Sequence, residues 1–154
     1  MITLLRIDHR LIHGQVAFSW TGYLGADCIL VANDDCVTNE LRRATIRLAK
    51  PAGVKLVIKG IDDSIAAINS GKTDKYRLFI VVDCVRDAYR LAKEIDQITR
   101  VNVGGLKATA QTHPSAADKN INLTDEDESM LRELMEMGKE VELRMVPSNA
   151  PKTL

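Results

Sequence analysis

His13 draws attention because of what stands beside it. The stretch RIDHRLIHGQ places Arg6, Asp8, His9, Arg10, His13, Gly14 and Gln15 close together. An imidazole nitrogen can attack phosphorus. The phosphoryl group so gained needs positive charge and N–H donors around it. Arg10 and Arg6 offer the charge, and the opening turn of a helix after Gly14, with Gln15 in it, offers the donors. Asp8 can accept the other ring N–H and hold the imidazole in one tautomer. A histidine that merely caps a helix or fills a loop is the plainer reading of an isolated imidazole. It leaves two arginines, an aspartate and a glycine unexplained.

The elements that must position these groups are a strand and a helix. Residues 2–20 begin with an apolar stretch that is β-branched at Ile2, Thr3 and Ile7, and continue with Val16, Ala17, Trp20 and Leu24 on one helical face. The polar residues from Arg6 to Gln15 are read as the connection. A loop past the carboxyl end of a strand, opening a helix, is where anions bind in α/β sheets.

Composition excludes other classes. Lys plus Arg and Asp plus Glu each number 21, so no nucleic-acid footprint is expected and any basic site is local. A chain of 154 residues is expected to form one domain with a core that needs neither metal nor disulfide. Apolar runs such as LFIVV are too short to span a bilayer, and the first residues read as strand rather than signal peptide. A cytoplasmic protein is expected, one that could meet a membrane only by docking. Cys28, Cys36 and Cys84 lack CxxC spacing, which argues against a zinc site or disulfide framework. No metal cluster or cofactor motif is evident. Cys84 sits near an expected helix start, a position that can lower a thiol pKa. It lacks the arginines and glycine that surround His13, so a structural role is favoured.

Strand and helix alternate along the rest. A strand at Cys28–Ala32 leads through a loop of Asn33, Asp34 and Asp35 to a helix over 38–49, with an apolar stripe of Val37, Leu41, Ala44 and Leu48. Its polar face carries Arg42, Arg43 and Arg47, a solvated face or a docking surface. A strand over 54–58 precedes a helix capped by Asp62 or Asp63, with Ile61, Ile65 and Ile68 inward and Gly71 at its end. The run over 76–82 predicts a central strand covered on both faces. Asp83 is expected to cap the next helix, with Val85, Ala88, Leu91, Ala92 and Ile95 inward. A short strand over 101–103 leads to Gly104 and Gly105, read as a turn or a phosphate contact; Asn102 to Gly105 are expected to shape the cleft beside His13. His113 lies in a polar loop without basic neighbours. A sixth strand over 119–123 precedes Thr124, a helix cap paired with Asp127, and a stripe of Met130, Leu131, Leu134 and Met137 ending at Gly138. The alternating strand over 140–145 is placed at a sheet edge, and residues 147–154 are read as a loose tail. The expected fold is α/β: a single three-layer domain over 1–154, its mostly parallel sheet of six to seven strands carrying helices on both faces.

Residues 6–16, RIDHRLIHGQV, resemble the phosphorylation-site signature of the IIB component of the mannose, fructose, sorbose and N-acetylgalactosamine family of phosphoenolpyruvate-dependent sugar phosphotransferase systems. VANDDCVTNELRRATIRLAKPAGVK (31–55) and VNVGGLK (101–107) resemble that family in the same order, over a chain about as long as a free-standing IIB domain. The first motif is specific; the Asn-Val-Gly-Gly motif alone is weak. The resemblance implies an α/β fold and a phosphotransferase in which His13 takes a phosphoryl group from a phosphohistidine on a IIA partner. It also implies delivery to a sugar held by membrane-embedded IIC and IID partners. Where family members often carry a proline after the fourth strand, this chain has Asp83 and Cys84, which bears on loop shape there. Other phosphotransferase IIB families phosphorylate a cysteine, so Cys84 is weighed against His13. A homodimer stays open. Two other readings fit the loop: a phosphohistidine phosphatase or mutase, which usually shows a contiguous Arg-His-Gly, and a non-catalytic anion-binding regulatory module.

Overall fold

The computed structural model describes residues 1–154. The chain runs β1 (Ile2–Asp8), α1 (Gly14–Leu24), β2 (Cys28–Ala32), α2 (Asp34–Thr38), α3 (Glu40–Leu48), β3 (Lys55–Lys59), α4 (Ile61–Asn69), β4 (Leu78–Val82), α5 (Val85–Glu94), β5 (Arg100–Gly105), β6 (His113–Pro114), β7 (Asn122–Leu123), α6 (Asp125–Glu136), β8 (Glu140–Leu143) and β9 (Lys152–Thr153). Seven strands form one sheet in the order β3-β2-β4-β1-β5-β8-β9. Every pairing in it is parallel except β8 with β9.

Period-two alternation sorts each central strand between two apolar layers. Leu5 and Ile7 of β1, with Leu78, Ile80 and Val82 of β4, face the layer closed by α4, α5 and α6. Leu4, Phe79 and Val81 face the opposite layer, closed by α1 and α3 through Trp20, Leu24 and Ile46. The neighbouring strands β1 and β4 therefore send their chains to opposite faces, β1 into α1 and β4 into α5. That reversal opens a crevice at the strands' carboxyl ends, and the loop ending in His13 stands there. No helix is long and apolar enough to cross a membrane.

Several expectations are corrected. Arg6 and Asp8 belong to β1 itself, not to the connection. The helix over 38–49 is two helices, α2 starting at Asp34 and α3 at Glu40, and Asn39 caps α3 by accepting from the Arg42 amide at 3.0 Å. Its apolar stripe faces outward: Leu41 is 80% and Leu48 89% exposed, while Ile46 is buried. The helix is turned by Arg42, whose guanidinium donates to Asp83 at 2.8 Å and Asp35 at 3.1 Å. Asp83 is thus an ion-pair partner, and Cys84 occupies the N-cap of α5 without a side-chain bond. Neither Asp62 nor Asp63 caps α4; the Ile61 amide donates to Asp34 Oδ1 at 2.8 Å, a cap from a distant element.

At the carboxyl-terminal end, the short sixth strand leaves the main sheet and pairs antiparallel with β6. The capping box of Thr124 and Asp127 is present, but Met137 is exposed and Met135 packs inward instead. β8 is not an edge, because Lys152–Thr153 pairs along its outer side. The presumed tail thus supplies the edge strand.

Candidate functional site

The opposite phase of the β1 alternation builds the site. Leu4, Arg6 and Asp8 point to the α1 side, and Arg6 pairs in register with Asn102 of β5. After Asp8 the backbone turns sharply: the Leu11 amide donates to the Asp8 carbonyl at 2.8 Å and the His9 amide to the Gly105 carbonyl at 2.9 Å. Leu11 has φ 60, a left-handed conformation that costs a branched residue about 1–2 kcal/mol. Burial of Leu11 and Ile12 under α1 holds it there. The turn delivers His13 to the N-cap of α1 with no side-chain cap on the helix. The first-turn amides of Gly14, Gln15 and Val16 therefore stay available. Gly14 has φ 45, where a Cβ would strain the backbone although the space is open.

His13 Nε2 lies 2.9 Å from Asp8 Oδ2. A carboxylate only accepts, so Nε2 carries the proton and the lone pair sits on Nδ1. Asp8 is completely buried and also accepts from Arg6 Nη2 at 3.0 Å and the Arg10 amide at 3.0 Å. Burial alone would raise its carboxyl. The bonds from His13 and the Arg10 amide, with the Arg6 charge, outweigh that and hold it below the ordinary 3.8. The stability it contributes is therefore complete above pH 3.8 and is lost as pH falls through the lower folded value. Asp8→Asn is expected to cost about 3 kcal/mol at neutral pH, because Arg6 is left buried without its counter-ion. Its acid-unfolding limb should be shallower, as read by urea unfolding at a series of pH values.

Arg6 does not face an incoming phosphate. It is buried over the Trp20 ring, 5.2 Å from the centroid. Its Nη1 donates to Asn102 Oδ1 at 2.7 Å and to the Arg144 carbonyl at 3.3 Å, and its Nη2 to Asp8. Burial lowers its pKa first, and Asp8 opposes that. It acts through Asp8, as a positioning residue. Asn102 stands behind Arg6, accepting from it and donating to the Arg144 carbonyl at 3.0 Å. Gly104 and Gly105 lie inside β5 and are buried. A Cβ on Gly104 would fall 2.1 Å from Arg6 Nη1, and one on Gly105 3.2 Å from Asp8 Oδ1. These glycines make room for the two charged groups rather than cradle a phosphate.

The structure thus sorts the expected residues into two ranks. His13, Gly14, Gln15 and Arg10 face outward, with Asp8 immediately beneath; Arg6, Asn102, Gly104 and Gly105 lie behind. Arg10, its side chain 52% exposed and Nε 3.8 Å from Asp8 Oδ1, is the guanidinium free to meet a phosphoryl group. Two supporting residues escaped sequence reasoning. Trp20 carries Arg6 on its ring and donates from Nε1 to the Met145 carbonyl at 2.9 Å. Arg144 stacks on Trp20 and Tyr23 and donates to the Asn149 and Pro147 carbonyls, tying the carboxyl-terminal segment to the back of the site. A buried arginine in a strand needs a flat aromatic and spare carbonyls nearby, and a lone tryptophan two turns beyond His13 was the available signal.

Cys84 does not rival His13. Burial, with Asp87 and Asp83 adding to it, pushes its thiol up to about 12, the reverse of the lowering that a helix start can give. His113 Nε2 lies 3.0 Å from Asp125 and 3.9 Å from Glu128, carboxylates that repel a phosphoryl group.

The chain is similar to known proteins over nearly all of its length. The family described as "PTS system sorbose subfamily IIB component" matches residues 2–154. A probable phosphotransferase enzyme IIB component from Streptococcus pyogenes is 36% identical over 153 residues, covering 97% of this chain and 94% of that protein. The mannose-specific EIIAB component of Escherichia coli is 30% identical over 149 residues, covering 97% of this chain but 46% of that protein. Among solved structures, the IIBSor domain of the sorbose permease from Klebsiella pneumoniae superposes with a TM-score of 0.89 at 30% identity, covering 98% of this chain and 91% of that one.

Proposed function

The chain belongs to the sorbose subfamily of phosphotransferase-system IIB components, and from that premise we propose that His13 Nδ1 is the atom that carries the phosphoryl group. As a IIB component it is a phosphotransferase that acts in sugar phosphotransfer. The observation that carries the proposal is the 2.9 Å contact of Nε2 with buried Asp8, which commits one ring nitrogen and leaves the other at the mouth of α1. The Nδ1 lone pair attacks the phosphorus of a donor phosphohistidine in line. The donor's N–P bond breaks, and its electron pair stays on the donor imidazole. As the His13 N–P bond forms, the ring gains positive charge, which Asp8 stabilises through Nε2–H. Arg10 and the amides of Gly14, Gln15 and Val16 take the equatorial oxygens.

In the second step a sugar hydroxyl attacks the same phosphorus and the pair returns to Nδ1. The hydroxyl proton needs a base that this surface does not offer, so the membrane partner supplies it. The donor is a IIA protein or domain, as in the Escherichia coli relative whose name joins the two components. The acceptor is a sugar held by IIC and IID chains on which this protein docks peripherally.

The test is incubation with a phosphoenolpyruvate-driven phosphorelay, followed by intact-mass analysis and nitrogen–phosphorus coupling in NMR. We expect one adduct, lost in acid and stable in alkali, coupled to Nδ1. Attachment at Nε2, or an adduct that survives acid, refutes the assignment.

A further inference from the structure

The side of α1 turned away from the core leads directly back from His13. Gly14, Gln15, Phe18, Ser19 and Gly22 are exposed on it, while Ala17, Trp20, Thr21 and Leu24 are buried. Phe18 is 63% exposed and packs in neither apolar layer. It lies one turn past Gly14, about 6 Å along the axis. Gly14, Phe18 and Gly22 fall in one row at i, i+4 and i+8, so the ring stands between two positions without side chains. Another chain can close on the helix there.

The charge around His13 is basic. Arg10 is half exposed and Lys107 is exposed. The bond from the His9 amide to the Gly105 carbonyl brings the segment carrying Lys107 beside the loop. Burial first, and Arg10 and Lys107 with it, press the His9 imidazolium toward its neutral form against the opposing charge of Asp8.

A small phosphoryl donor needs only the mouth at His13. A protein that presents a phosphohistidine in line with Nδ1 must cover on the order of 800 Å² around it, and that area takes in the next turn of α1. A second copy of this chain related by a twofold axis would set Arg10 and Lys107 against their own kind. A transporter would meet the site only after the phosphoryl group had neutralised it. The donor alone arrives with two negative charges while the site is still basic.

We propose that Phe18 is the apolar anchor by which the phosphohistidine donor protein docks, entering an apolar recess with an acidic rim that meets Arg10 and Lys107. This rests on the phosphocarrier reading of His13.

The experiment compares Phe18→Ala and Phe18→Glu with the wild type in two assays of His13 phosphorylation. One uses the phosphorylated donor protein, the other phosphoramidate, which needs no docking surface. The KM for the donor should rise about tenfold in Phe18→Ala and further in Phe18→Glu, with kcat unchanged. Labelling by phosphoramidate should match wild type within about twofold, and so should the melting temperature, since Phe18 packs in neither layer. An unchanged donor KM overturns the proposal. So does an equal loss with phosphoramidate, which would place Phe18 in the site itself, or a loss confined to transfer onward to the transporter, or a wild-type dimer that Phe18→Glu dissociates. A wild type that neither reagent labels overturns the carrier reading and this docking role with it; a labelled wild type with unaltered variants overturns the docking role alone.

Discussion

His13→Ala should take up no acid-labile phosphate from the phosphorylated donor, a fall of at least about a thousandfold in the rate of phosphorylation. The size of the effect follows from the absence of a substitute. His113 is hemmed by Asp125 and Glu128, which repel the incoming group. His9 lacks a carboxylate hydrogen bond of the kind Asp8 gives His13, so charge gained on phosphorylation would go unstabilised. Cys84 keeps its proton up to about pH 12. The variant should fold, because His13 is partly exposed and makes no bond to α1 as its N-cap. Intact-mass analysis before and after acid treatment reads the outcome; retained acid-labile phosphate in a folded His13→Ala protein would remove His13 from the mechanism.

The outward-facing half of the site was legible because it is local. A nucleophile, its orienting carboxylate, a free arginine and a helix start fall within the seven residues from Asp8 to Gly14, so residue types and spacing carry the chemistry. The inward half depends on strand register, which the spacing of polar residues does not reveal. Residue type and spacing alone group Arg6 with Arg10 as a phosphate ligand. Alternation with Leu5 and Ile7 puts it in β1 facing Trp20, and parallel pairing sets it across from Asn102. Gly104 and Gly105 read as a turn or a phosphate contact for the same reason: their meaning lies in what occupies the space above them, and that belongs to β1, far away in the chain.

The order of strands and helices followed from apolar periodicity, and the central place of β4 from its unbroken run. Periodicity failed where polar groups chose the face. In α3 a stripe of Leu41, Ala44 and Leu48 fits a helix as well as the observed inward face does. The decision came from Arg42 reaching Asp83 across 41 residues of chain. In β8, alternation with Val141 and Leu143 predicts an outward Glu142, yet it is buried beside Asn102, Arg100 and Arg144. Its charge is met by side chains from β5 and from its own strand end.

Gly104→Ala is expected to destabilise the protein by about 3–5 kcal/mol and to uncouple His13 from Asp8. The added methyl would sit 2.1 Å from both Cζ and Nη1 of Arg6, far inside van der Waals contact. Arg6 cannot swing aside, with Trp20 over its plane and Asn102, Asp8 and the Arg144 carbonyl on its nitrogens. Either β5 parts from β1 or the guanidinium leaves, and the second outcome strands Asp8 buried without its main counter-charge. Gly105→Ala should be milder, since its methyl meets Asp8 Oδ1 at 3.2 Å, a contact that a shift of a few tenths of an ångström relieves. A double-mutant cycle isolates the cause. If the collision with Arg6 is responsible, Gly104→Ala should cost little more in an Arg6→Ala background, a coupling on the order of 2–3 kcal/mol by urea unfolding. Additive costs would mean that Gly104 serves backbone conformation alone, and that Arg6 does not fill the space between β5 and Trp20.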